Sequence, residues 1–357
     1  MARQYSSLFK GGPYKVLTVY LTGETSLEAS EGSSSEEVIF LNYKSSDVRG
    51  LKLGAILALR NIAKSRDIAL IIAHRYKPIY IACLATKLPV IGVHHAFGEY
   101  DRRLRRWFVE FFRNRLAILA VSNAVRDDIR KRLPNWPSCQ IETLHNHLDL
   151  EFSISRIVSR IQARDILDLP HDVIVIGNVG RLHPDKDQKT LLAGFAKALN
   201  HLPPASLLAI AGSGPLEAEL QSYARSLGIS RSVFFLGQVP NVRQLFSAFD
   251  LFVLSSDHEP FGMVLLEAMA AGVPVIATNC GGAPEVVGRG DLLFGLKDSE
   301  QLAYLISSFF SNSDEDYRCE IITNGKRLLR EVFSDEIARK RFFSLPMVRA
   351  VLGPVVK

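Results

Sequence analysis

The chain predicts an α/β fold made of two parallel, doubly wound sheets, on three observations. Short runs rich in Val, Ile and Leu alternate with longer helical patterns, the alternation continues through both halves, and it is interrupted near residues 149–156. In the first half, strands are expected near Val16–Leu21, Val38–Leu41, Ile68–Ala73, Val90–Val93, Ile118–Val121 and Ile141–Leu144. In the second they fall near Val173–Asn178, Leu207–Ala211, Val233–Leu236, Leu251–Leu254 and Val273–Ala277. Asn146-His-Leu-Asp149 closes the first set, and Arg156–Leu167 reads as a fresh helix leading to Pro170, which cannot continue it. A first domain over 1–150 and a second over 151–334 follow, with a ligand cleft expected between them. The Ser-, Glu- and Gly-rich stretch Ser26–Glu36 reads as a solvated loop.

With 357 residues and 47% hydrophobic side chains, the chain supports two buried cores, which excludes a disordered protein. No apolar run has the length of a membrane span: Ile68–His74 is short, and Lys87 and Pro89 interrupt the next stretch. The first ten residues lack the apolar core of a secretory signal, so a cytoplasmic location is expected. Cys83, Cys139, Cys280 and Cys319 lie far apart, which argues against a zinc site or a disulfide framework. The balance of 43 Lys+Arg over 37 Asp+Glu, a net charge of +6, favours anionic partners in general. Nucleic acid is not an expected partner.

The most informative segment is Glu259-Pro-Phe-Gly-Met-Val-Leu-Leu-Glu267, between an apolar strand and an alanine-rich helix. At a helix start the backbone N–H groups and the positive dipole end face outward, so Phe261, Gly262, Met263 and Val264 are candidates for holding a phosphate. Carboxylates suit hydroxyls: Glu259 is a candidate for a sugar and Glu267 for a ribose. The plainer reading makes Glu259 a helix cap and Glu267 an ordinary helix residue.

Further candidates sit at other strand ends, where parallel sheets bind ligands. Arg181 and Lys186 lie in the loop after Val173–Asn178 and are suited to neutralising a diphosphate leaving group; the alternative is a solvated basic loop. Asp185-Lys-Asp187 has a metal-binding spacing, but Asp187 is better placed to cap the next helix. Gly212-Ser-Gly214 opens like a dinucleotide loop, yet Glu217 stands at the third glycine position, against a nicotinamide cofactor. The pair permits close approach to a ligand or simply a tight turn. His94 and His95 end the strand Val90–Val93, where one ring can donate to a hydroxyl or phosphate, or pack as core. The stretch 101–116 reads as a basic, aromatic helix with Leu104, Trp107, Phe108, Phe111 and Phe112 on one side and Arg102, Arg106 and Arg113 opposite. Such a helix fits an anionic membrane surface, or packs its rings against a sheet.

Taken together, these stretches resemble the retaining glycosyltransferases of family 4, from about Pro89 to Ser334. Glu259 to Pro274 matches the family's E-x7-E signature, and Asn178-Val-Gly-Arg-Leu182 with Lys186 matches its phosphate loop. Ala120-Val-Ser-Asn123 and Asn146-His-Leu-Asp149 look like landmarks of its first domain. The resemblance implies the GT-B architecture: two Rossmann-like doubly wound domains facing a central cleft, with a C-terminal helix, here about 335–357, packing back on the first. It further implies that Glu259 contacts the donor sugar, Glu267 the ribose, Arg181 and Lys186 the diphosphate, and His95 the transferred sugar or acceptor. Transfer with retention and without a metal or other cofactor is implied too. The start departs from the family pattern, since Gly11-Gly12 precedes Pro13 and only the polar Arg3–Phe9 comes before it.

The expected function is transfer of a hexose from a nucleotide diphosphate donor, a UDP-sugar first, to a hydroxyl of a glycolipid, a lipopolysaccharide core or another saccharide. The rivals are a non-catalytic sugar-nucleotide sensor or scaffold, and an epimerase or phosphorylase on the same fold.

Overall fold

The computed structural model describes residues 2–25, 33–311 and 315–353. Most of the expected solvated loop, residues 26–32, lies outside the described residues, as do 354–357 of the expected C-terminal helix. Two compact units divide the chain: Met1–His147 with Asp335–Lys357, and Leu148–Ser334.

In the second unit, six parallel strands, β7 (Val175–Val179), β8 (Leu207–Ala211), β9 (Val233–Gly237), β10 (Leu251–Leu254), β11 (Val275–Thr278) and β12 (Leu293–Phe294), pair in the order β12-β11-β10-β7-β8-β9. The central strands are continuous apolar runs because helices cover both faces; every residue of β8, β10 and β11 is buried.

The expected helix Arg156–Leu167 is observed over Arg160–Ile166, and a separate short helix, Leu150–Ser155, precedes it. Each has its own N-cap. Asp149 accepts from Phe152 N, and Ser159 with Gln162 forms a capping box that starts the second helix three residues before Ala163.

The first unit departs from a single sheet. β3 (Ile71–His74), β4 (Val90–His94), β5 (Leu116–Ala120) and β6 (Ile141–Thr143) form a four-stranded parallel sheet in chain order. β1 (Leu17–Thr22) and β2 (Glu37–Tyr43) pair only with each other, with Tyr20 stacked on Phe40 at 5.0 Å. Their burial explains the separation: β4 and β5 are buried throughout, whereas β1 buries only Thr18 and β2 buries none of its residues. The polar segment before them is a helix, Ala2–Ser7, whose Ser7 Oγ donates to Asp335 Oδ2 at 2.9 Å. The C-terminal part of this unit is two helices, Asp335–Ser344 and Pro346–Leu352, broken where Pro346 opens the second.

The basic aromatic helix spans Arg103–Phe112 and carries its five apolar residues as one stripe, of which only one edge packs against the unit. Val109 is buried, and Phe108 packs against Tyr80 and Phe112, each at 4.8 Å. Leu104, Trp107 and Phe111 turn outward, 83%, 78% and 76% exposed. Among the described residues, no helix is long and apolar enough to cross a membrane.

Candidate functional site

In the sheet order of the second unit, β7 and β10 are neighbours whose connections run to opposite sides: β8 lies beyond β7, and β11 beyond β10. A doubly wound sheet opens a crevice at such a switch point, outside the C-terminal ends of the two strands. The loops leaving β7 and β10 carry Arg181, Lys186 and Glu259.

These loops are fastened to each other. Ser255 Oγ donates to Lys186 O at 2.9 Å, and Asp257 N donates to Asp185 O at 3.1 Å. The Lys186 ammonium donates to Glu259 Oε2 at 2.8 Å and to Ser256 Oγ at 3.3 Å, while Ser256 Oγ is 3.2 Å from the same carboxylate oxygen. Glu259 is buried, and a buried carboxylate persists only with such partners. Its other oxygen, Oε1, takes no hydrogen bond from the described residues. From β11, Thr278 Oγ1 donates to Leu254 O and Ser256 O, Cys280 Sγ to Ser256 O at 3.0 Å, and Gly282 N to Glu259 O at 2.8 Å. The pair thus sits on a backbone fixed from three strands. Ser256 and Cys280 did not emerge from the sequence; their signal was position, directly past the ends of β10 and β11.

Arg181 is exposed and turns to Asp185 Oδ2 at 3.2 Å, which leaves its guanidinium at the rim of the loop. Asp187, left-handed at φ 43°, caps the helix Gln188–Ala198 through Thr190 N, and Thr190 Oγ1 donates to its Oδ2 at 2.6 Å. No group of three or more His, Cys, Asp or Glu side chains among the described residues is arranged to hold a metal ion.

Gly212 and Gly214 make close approaches to the chain's own backbone. A Cβ on Gly212, at φ +146°, would stand 1.8 Å from Gly180 O, and one on Gly214 would stand 2.3 Å from Leu182 O. Both glycines therefore let the β8 loop lie against the loop that carries Arg181, with Leu182 N donating to Ser213 O at 3.0 Å.

Gly262, at φ +101°, leads into the helix Met263–Ala270. The Phe261 side chain is core, buried edge-on against Phe333 with centroids 5.7 Å apart, so it is not available to a ligand. Met263 and Val264 are half-buried in the first turn. Glu267, also half-buried, accepts no side-chain hydrogen bond among the described residues. Burial holds its carboxyl above the usual range, opposed by the nearby Arg243 charge. A carboxylate short of partners is suited to a ligand hydroxyl.

His95 belongs to the first unit, just past β4. His95 Nε2 lies 3.0 Å from His74 Nδ1 with the rings stacked at 5.3 Å, and its Nδ1 is enclosed without a partner. His94 is fully buried on Tyr100 Oη at 2.8 Å. Burial above all drives these imidazoles down, to about 4 for His95 and about 3 for His94 and His74, so all are neutral near pH 7. His74 is the partner the sequence did not reveal. Next to it, Arg75 takes φ 70° and ψ 166°, a backbone region nearly reserved for glycine and concentrated at functional sites.

The pattern of Glycosyltransferase Family 4 matches residues 14–152, and that of Glycosyl transferases group 1 matches residues 159–328. The chain belongs to the family 4 glycosyltransferases. Among relatives of this family 4 chain, an uncharacterised glycosyltransferase of Methanocaldococcus jannaschii is 30% identical over 62% of this chain and 58% of its own length. A lipopolysaccharide core biosynthesis glycosyltransferase of Rhizobium meliloti, LpsE, is 28% identical over 70% of this chain and 67% of its own. The chain thus spans less than two thirds of the archaeal relative. Among solved structures, Anabaena HepE in complex with UDP superposes with a TM-score of 0.79 at 21% identity, covering 96% of this chain and 95% of that one. The family 4 chain therefore has the GT-B fold.

Proposed function

We propose that this chain transfers a hexose from a UDP-sugar to a hydroxyl of a glycolipid or saccharide acceptor, with lipopolysaccharide core the leading candidate. The observation that carries the reading is the Lys186–Glu259 pair at the switch point of the second sheet: one cation for a diphosphate and one carboxylate for a sugar hydroxyl, held 2.8 Å apart. The UDP in HepE and the named role of LpsE support the choice of donor and acceptor.

In this reading the diphosphate lies against Lys186 and the start of the helix Met263–Ala270, with Arg181 at the rim, and Glu267 takes the ribose. As the glycosidic bond breaks, charge grows on the leaving oxygen, and these groups stabilise it without a metal. Glu259 and Glu267 are assigned to hydroxyls of the donor in this reading, so retention follows a front-face path in which the departing phosphate oxygen takes the acceptor proton. The test supplies UDP-, GDP- and ADP-hexoses, labelled in the sugar, with lipopolysaccharide core oligosaccharide or glycolipid extract. Transfer with retained anomeric configuration is expected from a UDP-hexose in the presence of EDTA. Absence of both transfer and donor hydrolysis with every donor would refute the enzyme.

We also place the protein at the cytoplasmic face of a membrane, through Leu104, Trp107 and Phe111. Three large apolar side chains exposed on one helix, beside Arg103 and Arg106, suit insertion among anionic headgroups. Changing the three to serine is expected to lower binding to phosphatidylglycerol-containing vesicles, measured by flotation, about tenfold or more at unchanged melting temperature. Undiminished binding rules this surface out.

A further inference from the structure

Close to that helix, the first unit gathers three cations, of which one, Arg105, is paired with a carboxylate among the described residues. Lys52 precedes the helix Leu53–Lys64 in a left-handed conformation, φ 56° and ψ 33°, and its ammonium lies 4.4 Å from the centroid of the Tyr80 ring. Arg105 stacks over Tyr76 at 4.5 Å and pairs with Glu99 at 2.8 Å. Lys77, in the first turn of the helix Tyr76–Ala85, is exposed. Neither Lys52 nor Lys77 forms an ion pair with any described residue; the one bond of the Lys52 ammonium goes to Gly50 O at 2.6 Å. Partial burial, and then repulsion from Lys77 and Arg105, pull the Lys52 ammonium below its ordinary range. Two cations therefore lie on neighbouring tyrosine rings with a third, Lys77, near enough to act on Lys52, and one carboxylate offsets them. Neither adjoining helix has an acidic residue in its first turn, so both positive dipole ends add to the surplus.

We infer that Lys52, Lys77 and Arg105 form a subsite for a phosphomonoester carried by the acceptor, a feature that rests on the transferase reading and narrows its acceptor class. A phosphomonoester brings close to two negative charges and three acceptor oxygens, which matches the surplus of two cations among these three neighbouring groups. A single carboxylate would leave one of the lysines unanswered. Exposed Leu53 and Leu57, on the helix that follows Lys52, give an acyl chain somewhere to lie, so the phosphate is borne on a lipid.

The experiment titrates the intact protein with dihexanoyl phosphatidic acid, dihexanoyl phosphatidylcholine and glycerol 3-phosphate, with UDP in parallel. Phosphatidic acid is expected to bind about tenfold or more tightly than phosphatidylcholine, and Lys52→Ala with Lys77→Ala to abolish that preference while UDP affinity stays unchanged. Glycerol 3-phosphate binding as tightly as the lipid, and weakening in the same variant, upholds the phosphate subsite and reassigns its source to a soluble ester. Equal affinity of wild type and variant for phosphatidic acid, or no binding of either phosphate ester, overturns the subsite. Should the alanine variant lose its native melting transition, Lys52→Gln with Lys77→Gln answers by the same readout. Failure of UDP alone to bind would strike at the transferase reading and leave the phosphate result standing.

Discussion

Replacing Lys186 by alanine is expected to lower the turnover of sugar transfer about 100-fold or more, the loss typical of removing one group that stabilises charge developing in a transition state. The ammonium is held by Glu259 Oε2 at 2.8 Å and Ser256 Oγ at 3.3 Å, so it is positioned before any donor arrives and needs little reorganisation. Because leaving-group charge grows as the bond breaks, the effect should fall on turnover more than on donor KM. Glu259 keeps its bond to Ser256 in the variant, and with Oε1 open it does not become a sealed, unpartnered charge. Melting temperature should accordingly change little. The measurement is steady-state transfer from a UDP-hexose with thermal melts alongside; wild-type turnover in Lys186→Ala would remove the central support for the proposed chemistry.

Arg164→Ala should destabilise the second unit by about 3–5 kcal/mol, the range for breaking a buried charged pair by removing one partner. Arg164 is fully buried, with no exposed side-chain surface. Its Nε donates to Ala248 O at 3.0 Å, its Nη1 to the carbonyls of Pro170, His171 and Val173, and its Nη2 to Asp250 Oδ2 at 2.9 Å. That carboxylate oxygen also accepts from Val175 N at 2.8 Å, so the guanidinium ties the helix Arg160–Ile166 to the starts of both β7 and β10. Removing it strands four carbonyls and takes one of the three bonds that Asp250 accepts, leaving those from Arg160 and Val175 N. A fall in melting temperature on the order of 10 °C is expected for a unit of this size. A loss under about 1 kcal/mol in urea unfolding would mean that water replaces the network. Lysine is not an equivalent, because one ammonium cannot reach positions that a planar five-donor fork spans.

The amino-acid sequence by itself determined the fold class and most strand positions, because a parallel strand buried on both faces must be a short apolar run, and such runs are visible locally. It also marked Lys186 and Glu259 as residues at strand ends. Their meeting was decided only by tertiary structure: they stand 73 positions apart, and their contact depends on β7 and β10 being neighbours in a sheet whose order no local pattern encodes. The same holds for His74 against His95, joined across β3 and β4, and for Phe261, which lies in the middle of the most informative motif yet packs on Phe333. Periodicity placed Leu104, Trp107, Phe108, Phe111 and Phe112 on one stripe of a helix. Which of them faced the tyrosines and which faced water was settled by the neighbouring helix Tyr76–Ala85, since a helical pattern records spacing along one element while burial depends on what another brings against it.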